Sequence, residues 1–178
     1  TATSSLENAP AGGSSGNTKA AKFIKGVPFW SGTTFLNFGG SSTTVISTGK
    51  TTITMNVYAP AAGTYVRLKA ENAGDPTVSV ETNSTTSTVV GWQTLTFNFL
   101  TQATGTAPFN AASTYNMLNI FPDWNPTGNT YTAGSIWYFD DVAFNGAVTP
   151  AVTTPGGGGG SGGSGGGGIS PAAPATLV

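Results

Sequence analysis

Apolar and polar residues change places at every second position along much of this chain, and that period decides what it can fold into. Ile53, Met55 and Val57 alternate with Thr52, Thr54, Asn56 and Tyr58; Val66, Leu68 and Ala70 alternate with Tyr65, Arg67, Lys69 and Glu71; Leu95, Phe97 and Phe99 alternate with Thr94, Thr96 and Asn98. Successive strand side chains point to opposite faces of a sheet, so each run predicts an antiparallel strand with one buried and one wet face. Weaker strand signals cover residues 21–25, 34–38, 43–47, 77–82 and 116–121, and an aromatic run covers 135–144. Turn chemistry separates them at Gly39-Gly40, Gly49-Lys50, Pro60 to Gly63, Ala73 to Pro76 and Asn125 to Asn129. Helical periodicity is nearly absent. Many short strands at this spacing predict an all-β antiparallel β-sandwich, a jelly roll.

After Asn145 the composition changes. Residues 147–155 are rich in Thr, Val and Pro, and 156–168 contain only Gly and Ser. Such a stretch buries too little apolar surface to offset its ordering entropy, so 147–170 reads as a linker. Residues 171–178 turn apolar again and read as an incipient strand of a next repeat or of a neighbouring subunit. The domain organisation is thus a jelly roll over 1–146, a linker, and a strand-like end. Starting on Thr1 with neither Met nor a signal peptide, the chain reads as a processed mature form or an excised piece.

Charge and residue types narrow the function. Charged residues make up 7% of the chain and the net charge is −1, which gives no basic footprint for nucleic acid. No apolar stretch reaches the roughly 18 residues a membrane span needs. A polar surface built from Thr, Ser, Asn and Gly suits an extracellular, secreted or cell-surface setting. There is no His and no Cys, so the commonest general base, zinc ligand and thiolate nucleophile are all missing. Most of the few carboxylates lie at turns or outward strand positions, with no catalytic signature around any pair, so the expectation is a non-enzyme.

Within Trp137-Tyr138-Phe139-Asp140-Asp141-Val142, two adjacent carboxylates interrupt a strand that disfavours them. By alternation Asp140 shares a face with Val142 and Phe144, and Asp141 shares one with Phe139 and Ala143. One of them must therefore meet the core, which is costly unless it is paired. Lys19, Lys22 and Lys25 read as a solvated edge that discourages strand addition.

The segments 52–59, 61–71, 91–99 and 137–142, in that order, resemble the β-jelly-roll carbohydrate-binding modules joined by linkers to secreted bacterial polysaccharide-degrading enzymes and surface proteins. The resemblance covers roughly residues 1–146. Family members commonly begin with a further strand and a Gly-rich turn, absent or displaced here. It implies a structural Ca²⁺ near the last strand, with Asp140 favoured over Asp141 as ligand and Glu7 as the N-terminal partner. The alternative is an Asp held by backbone N–H groups or by Lys22. It also implies polysaccharide as partner. Sugar binding needs exposed aromatic faces beside planar hydrogen-bonding groups. Trp124, in a polar, turn-rich segment, is the first candidate; Tyr131, Trp30, Tyr58 and Tyr65 follow, with Arg67, Gln93, Asn119 and Asp123 as polar partners. Trp92 and Trp137 read as packing residues.

A rival expectation uses the same fold as a structural repeat of an extracellular filament, sheath or adhesive stalk. Residues 174–178 would then join another copy head to tail, a geometry that generates open fibres.

Overall fold

The computed structural model describes residues 2–13, 18–125 and 131–144, and the backbone of 147–149. Every regular element among them is a strand: β1 (Thr3–Asn8), β2 (Lys19–Ile24), β3 (Thr33–Asn37), β4 (Thr52–Ala59), β5 (Tyr65–Asn72), β6 (Asp75–Asn83), β7 (Gly91–Asn98), β8 (Met117–Trp124), β9 (Ile136–Phe144) and β10 (Ala147–Thr149). They form two antiparallel sheets. One has the order β1-β2-β9-β4-β7, with β10 added to β9; the other has the order β3-β8-β5-β6. Apart from β1–β2, β5–β6 and β9–β10, each connection carries the chain from one sheet to the other. That winding produces the all-β sandwich expected from the alternation.

The alternating apolar residues fill the space between the sheets. Ile53, Met55, Val57, Leu95 and Phe97 on one side meet Val66, Leu68, Ala70, Leu118 and Ile120 on the other in a single buried cluster. Trp137 lies within it, fully buried, as its packing role requires. Truncating a ring such as Phe97 to alanine would cost about 3–5 kcal/mol, because such a core refills the cavity only in part.

Several local expectations change. Residues 43–47 form no strand; only an isolated bridge joins Ser47 and Lys50. Val45 and Ile46 are buried, while the Thr44 hydroxyl donates to Ile46 O at 2.7 Å, so the segment plugs the sandwich as a loop. β1 gave no alternation signal because its exposed edge position leaves most of its side chains wet. The ladder continues past residue 146 through β10, inside the stretch read as linker. The incipient strand at 171–178 and the head-to-tail contact assigned to it lie outside the described residues.

Two β-bulges matter most. On β9, Asp140 pairs with Asn56 and Ala143 pairs with Thr54, so β9 advances one residue further than β4. Asp141 occupies the extra place with φ of 46°. On β8, Phe121 pairs with Arg67 and Trp124 with Tyr65, and Asp123 there has φ of 56°. Asp is among the few residues that enter the left-handed region at modest cost, because its short polar side chain bonds locally. Each bulge resets the alternation. Asp140 therefore shares the outer face with Tyr138 and Asn56, and not with Val142, which turns into the core.

Candidate functional site

The outer face of the β3-β8-β5-β6 sheet gathers most of the residues singled out for sugar binding. Arg67, Lys69 and Glu71 of β5 alternate with core residues and so point outwards, and register does the rest. Trp124 lies beside Tyr65, Phe121 beside Arg67 and Asn119 beside Lys69. On the flanking strands Thr34 faces Asn119, Glu81 faces Lys69 and Asn83 faces Arg67.

Aromatic rings occupy one end of this face. The Arg67 guanidinium carbon stands 3.9 Å from the Trp124 ring centroid, a cation–π contact. Phe121 lies edge-on to Trp124 at 6.2 Å, and Phe29 is tilted towards it at 5.5 Å. Trp30 continues the run, edge to face with Phe29 at 5.0 Å, and is 59% exposed. Trp124 itself ends β8 and is only half-buried, with one ring face under Arg67. The most accessible ring among the described residues is therefore Trp30, one of the four rings placed behind Trp124 on sequence.

Polar groups form a connected row across the strands. Thr34 Oγ1 donates to Asn119 Oδ1 at 2.8 Å, and Asn119 Nδ2 donates to Glu71 Oε1 at 2.7 Å. Glu71 Oε2 pairs with the Lys69 ammonium. Arg67 donates from Nη1 to Glu81 Oε2 at 3.0 Å and from Nε to Asn83 Oδ1 at 2.8 Å. Burial lowers the proton affinity of the Arg67 guanidinium, and Glu81 opposes that shift. Arg67, Glu71 and Asn119 are each under 10% exposed although they lie on the outer side of the sheet. Charges so shielded need their partners, since removing one leaves the other desolvated.

Beneath the rings lies Lys25, which corrects the expectation of a solvated lysine edge. Its side chain is buried, and its ammonium donates to Phe29 O at 2.7 Å, Ser31 O at 3.1 Å and Pro122 O at 2.8 Å. An ammonium has three donors, and main-chain carbonyls take all of them. Lys25 thereby ties the loop carrying Phe29 and Trp30 to the bulge that precedes Trp124. Burial pushes its pKa down to about 8, with the nearby Asp123 charge opposing. Gly32 lets the same loop close. A Cβ there would lie 2.4 Å from Ile120 O and 2.4 Å from a Phe121 ring carbon.

The remaining candidates serve elsewhere. Asp123 is buried and accepts a hydrogen bond from Thr132 N at 2.6 Å, so it shapes the bulge and does not reach outwards. Tyr131 lies near the Lys25 ammonium, 5.8 Å from its ring centroid. Tyr58 is on the other sheet, in a row that runs Lys22, Tyr138, Tyr58, Trp92. Gln93, also on that sheet, bonds to the backbone of Val89 through both ends of its amide.

The carboxylates assigned to calcium each accept from neighbouring groups. Glu7 pairs with Lys22 at 3.5 Å and accepts from Ser5 Oγ at 3.0 Å. Asp140 Oδ1 accepts from Asp141 N at 2.9 Å, and Asp141 Oδ2 accepts from Asn56 Nδ2 at 3.1 Å. No group of three or more Asp, Glu, His or Cys side chains placed to hold a metal occurs among the described residues.

Sequence reasoning passed over Phe29, Phe121, Lys69, Glu71, Glu81 and Asn83. The period-two pattern of β5 places Lys69 and Glu71 on one face with Arg67, and was signal enough for those two. No protein-family model matches this chain, and no curated protein matches it.

Proposed function

We propose that this chain is a non-catalytic, extracellular carbohydrate-binding-type module that attaches a larger secreted protein to polysaccharide through the outer face of the β3-β8-β5-β6 sheet. The observation that carries this reading is the run of Trp30, Phe29 and Trp124 beside the row of Thr34, Asn119, Lys69 and Glu71. A pyranose ring offers apolar C–H surfaces on its faces and hydroxyls around its rim. A large, stiff aromatic surface next to fixed amide, hydroxyl and charged groups complements both at small entropic cost. The side chains are held before any ligand arrives, by the Lys25 tie below and by the hydrogen-bonded row above. Preorganisation of that kind lowers the cost of binding. Nothing in this reading requires proton transfer.

Retention on a glycan array and on insoluble polysaccharides tests it. Trp30→Ala and Trp124→Ala should each weaken binding by about tenfold or more, with an unchanged circular dichroism spectrum. Wild-type protein that is retained by no glycan, or variants retained as well as wild type, would sink the proposal.

A further inference from the structure

We propose that this face selects uncharged polysaccharide chains and turns away polyanionic ones, whether uronate or sulfated. The inference rests on the carbohydrate-binding reading above and narrows it to a ligand class. It comes from the way the charges are spent.

Each exposed-side cation of the face is already committed within it. Arg67 gives Nη1 to Glu81 and Nε to Asn83, and lays its plane against Trp124. Lys69 gives its ammonium to Glu71, whose other oxygen is held by Asn119. Below them the buried cation, Lys25, has its donors on three carbonyls and the Asp123 carboxylate nearby. Lys25, Arg67 and Lys69 thus balance Asp123, Glu71 and Glu81, and no net charge is left to attract an anion.

An arriving sugar carboxylate or sulfate would find the Arg67 charge already neutralised by Glu81, and could gain it fully only by drawing the guanidinium away. Arg67 is 8% exposed. The abandoned Glu81 carboxylate, partly exposed, would lose its compensation at the edge of a site less polar than water. The incoming anion would also sit close to Glu71 and Glu81. Hydroxyl groups pay neither penalty. They can use the valences the network leaves open: the second N–H of Asn119, the amide N–H₂ of Asn83, the remaining guanidinium protons and the second oxygen of Glu81. Those are donors and acceptors in mixture, which suits a group that is both. The whole chain, with net charge −1, adds no long-range attraction for a polyanion.

Affinity electrophoresis of the wild-type chain tests this directly. The gels would contain either neutral polymers (mixed-linkage β-glucan, xylan, glucomannan) or anionic ones (polygalacturonate, alginate, dextran sulfate). Each would be run at about 20 mM and about 300 mM NaCl, since the higher salt screens exposed charges beyond a few ångströms. The expected result is retardation by at least one neutral polymer, changed by less than about twofold between the two salts, and none by the anionic set. Retardation by an anionic polymer that disappears at the higher salt would overturn the inference while leaving carbohydrate binding standing. Retardation by no polymer of either set would remove the wider reading and this one with it. Glu81→Gln supplies the second arm. The amide keeps an oxygen to accept from Arg67, so the fold is retained, but the face gains one net positive charge. Low-salt retardation by dextran sulfate should then rise by about fivefold or more. An unchanged mobility in that gel would show that the Arg67–Glu81 pair is not what excludes anions.

Discussion

The two sheets each carry aromatic and charged residues on their outer faces, yet they use them in opposite ways. On the β1-β2-β9-β4-β7 sheet, Tyr138, Tyr58 and Trp92 lie side by side in register and meet edge to face, at 5.9 Å and 5.7 Å. Residues 10–13, after β1, then meet the Trp92 end of that row. Trp92 Nε1 donates to Pro10 O at 3.0 Å, and a Cβ on Gly13 would lie 3.1 Å from the Trp92 ring. These rings satisfy one another and the chain's own backbone. On the β3-β8-β5-β6 sheet the rings end in an exposed Trp30, and the polar side chains are fixed with valences to spare. The lesson is that aromatic content does not mark a site. What distinguishes the second face is rigidity without closure.

The contrast can be broken at its strongest point first. Gly32→Ala forces a Cβ against the carbonyl of Ile120, which cannot swing aside, and should destabilise the protein by about 2–3 kcal/mol in a denaturant titration. A loss below about 0.5 kcal/mol would mean that the loop carrying Trp30 is not held as tightly as described. Tyr58→Ala comes next. It removes two edge-to-face contacts and should cost about 1–2 kcal/mol of stability while leaving polysaccharide retention within about twofold of wild type. A binding loss matching that of Trp30→Ala would erase the distinction between the faces.

A pH series sharpens the comparison from beneath. In the unfolded chain Lys25 keeps its proton to the ordinary 10.5, whereas in the fold it gives it up near about 8. Between those values the unfolded state binds more protons, so stability contributed by this group rises with pH. Wild-type protein should gain about 1–2 kcal/mol relative to Lys25→Met between about pH 7.5 and about pH 10, a figure discounted for residual solvation. Parallel curves for the two proteins would remove the perturbed lysine from the account. Gly13→Ala should be the mildest change, under about 1 kcal/mol, because its close contact is with a side-chain ring at 3.1 Å rather than with backbone at 2.4 Å. A larger cost would show that the strap over Trp92 is as rigid as the loop under Trp30.

The fold was largely legible because burial enforces alternation wherever a strand has one wet face. The β4, β5 and β7 runs, with Ile53, Leu68 and Phe97 inward, needed no knowledge of their partners. The site was legible only in pieces. Trp124, Arg67, Asn119 and Tyr65 could be picked out by residue type, but the bulge at Asp123 fixes which of them are neighbours. A bulge is a single unpaired residue, and nothing in Pro122-Asp123-Trp124 distinguishes it from a turn. The same blindness placed Asp140 beside Val142. Lys25 was misjudged because a lysine in a polar run reads as solvated, and its three acceptors are carbonyls, one of them from Pro122 on a distant strand. Main-chain acceptors leave no mark in a sequence.

The Lys25–Pro122 bond joins residues 97 positions apart. Its two ends belong to opposite sheets, so it cannot form in a half-made sandwich. Loop-closure entropy makes contacts of such separation late events, and all-β chains rich in them fold in milliseconds to seconds. The platform of Phe29, Trp30 and Trp124 is therefore an end point of folding rather than a nucleus for it. A nascent chain still lacking β8 would present neither Trp124 nor the Pro122 carbonyl that anchors Lys25. Protection of the Lys25 ammonium would report that the last strands have docked, and unfolding from the β8–β9 side would dismantle this platform before the rest of the sandwich opened.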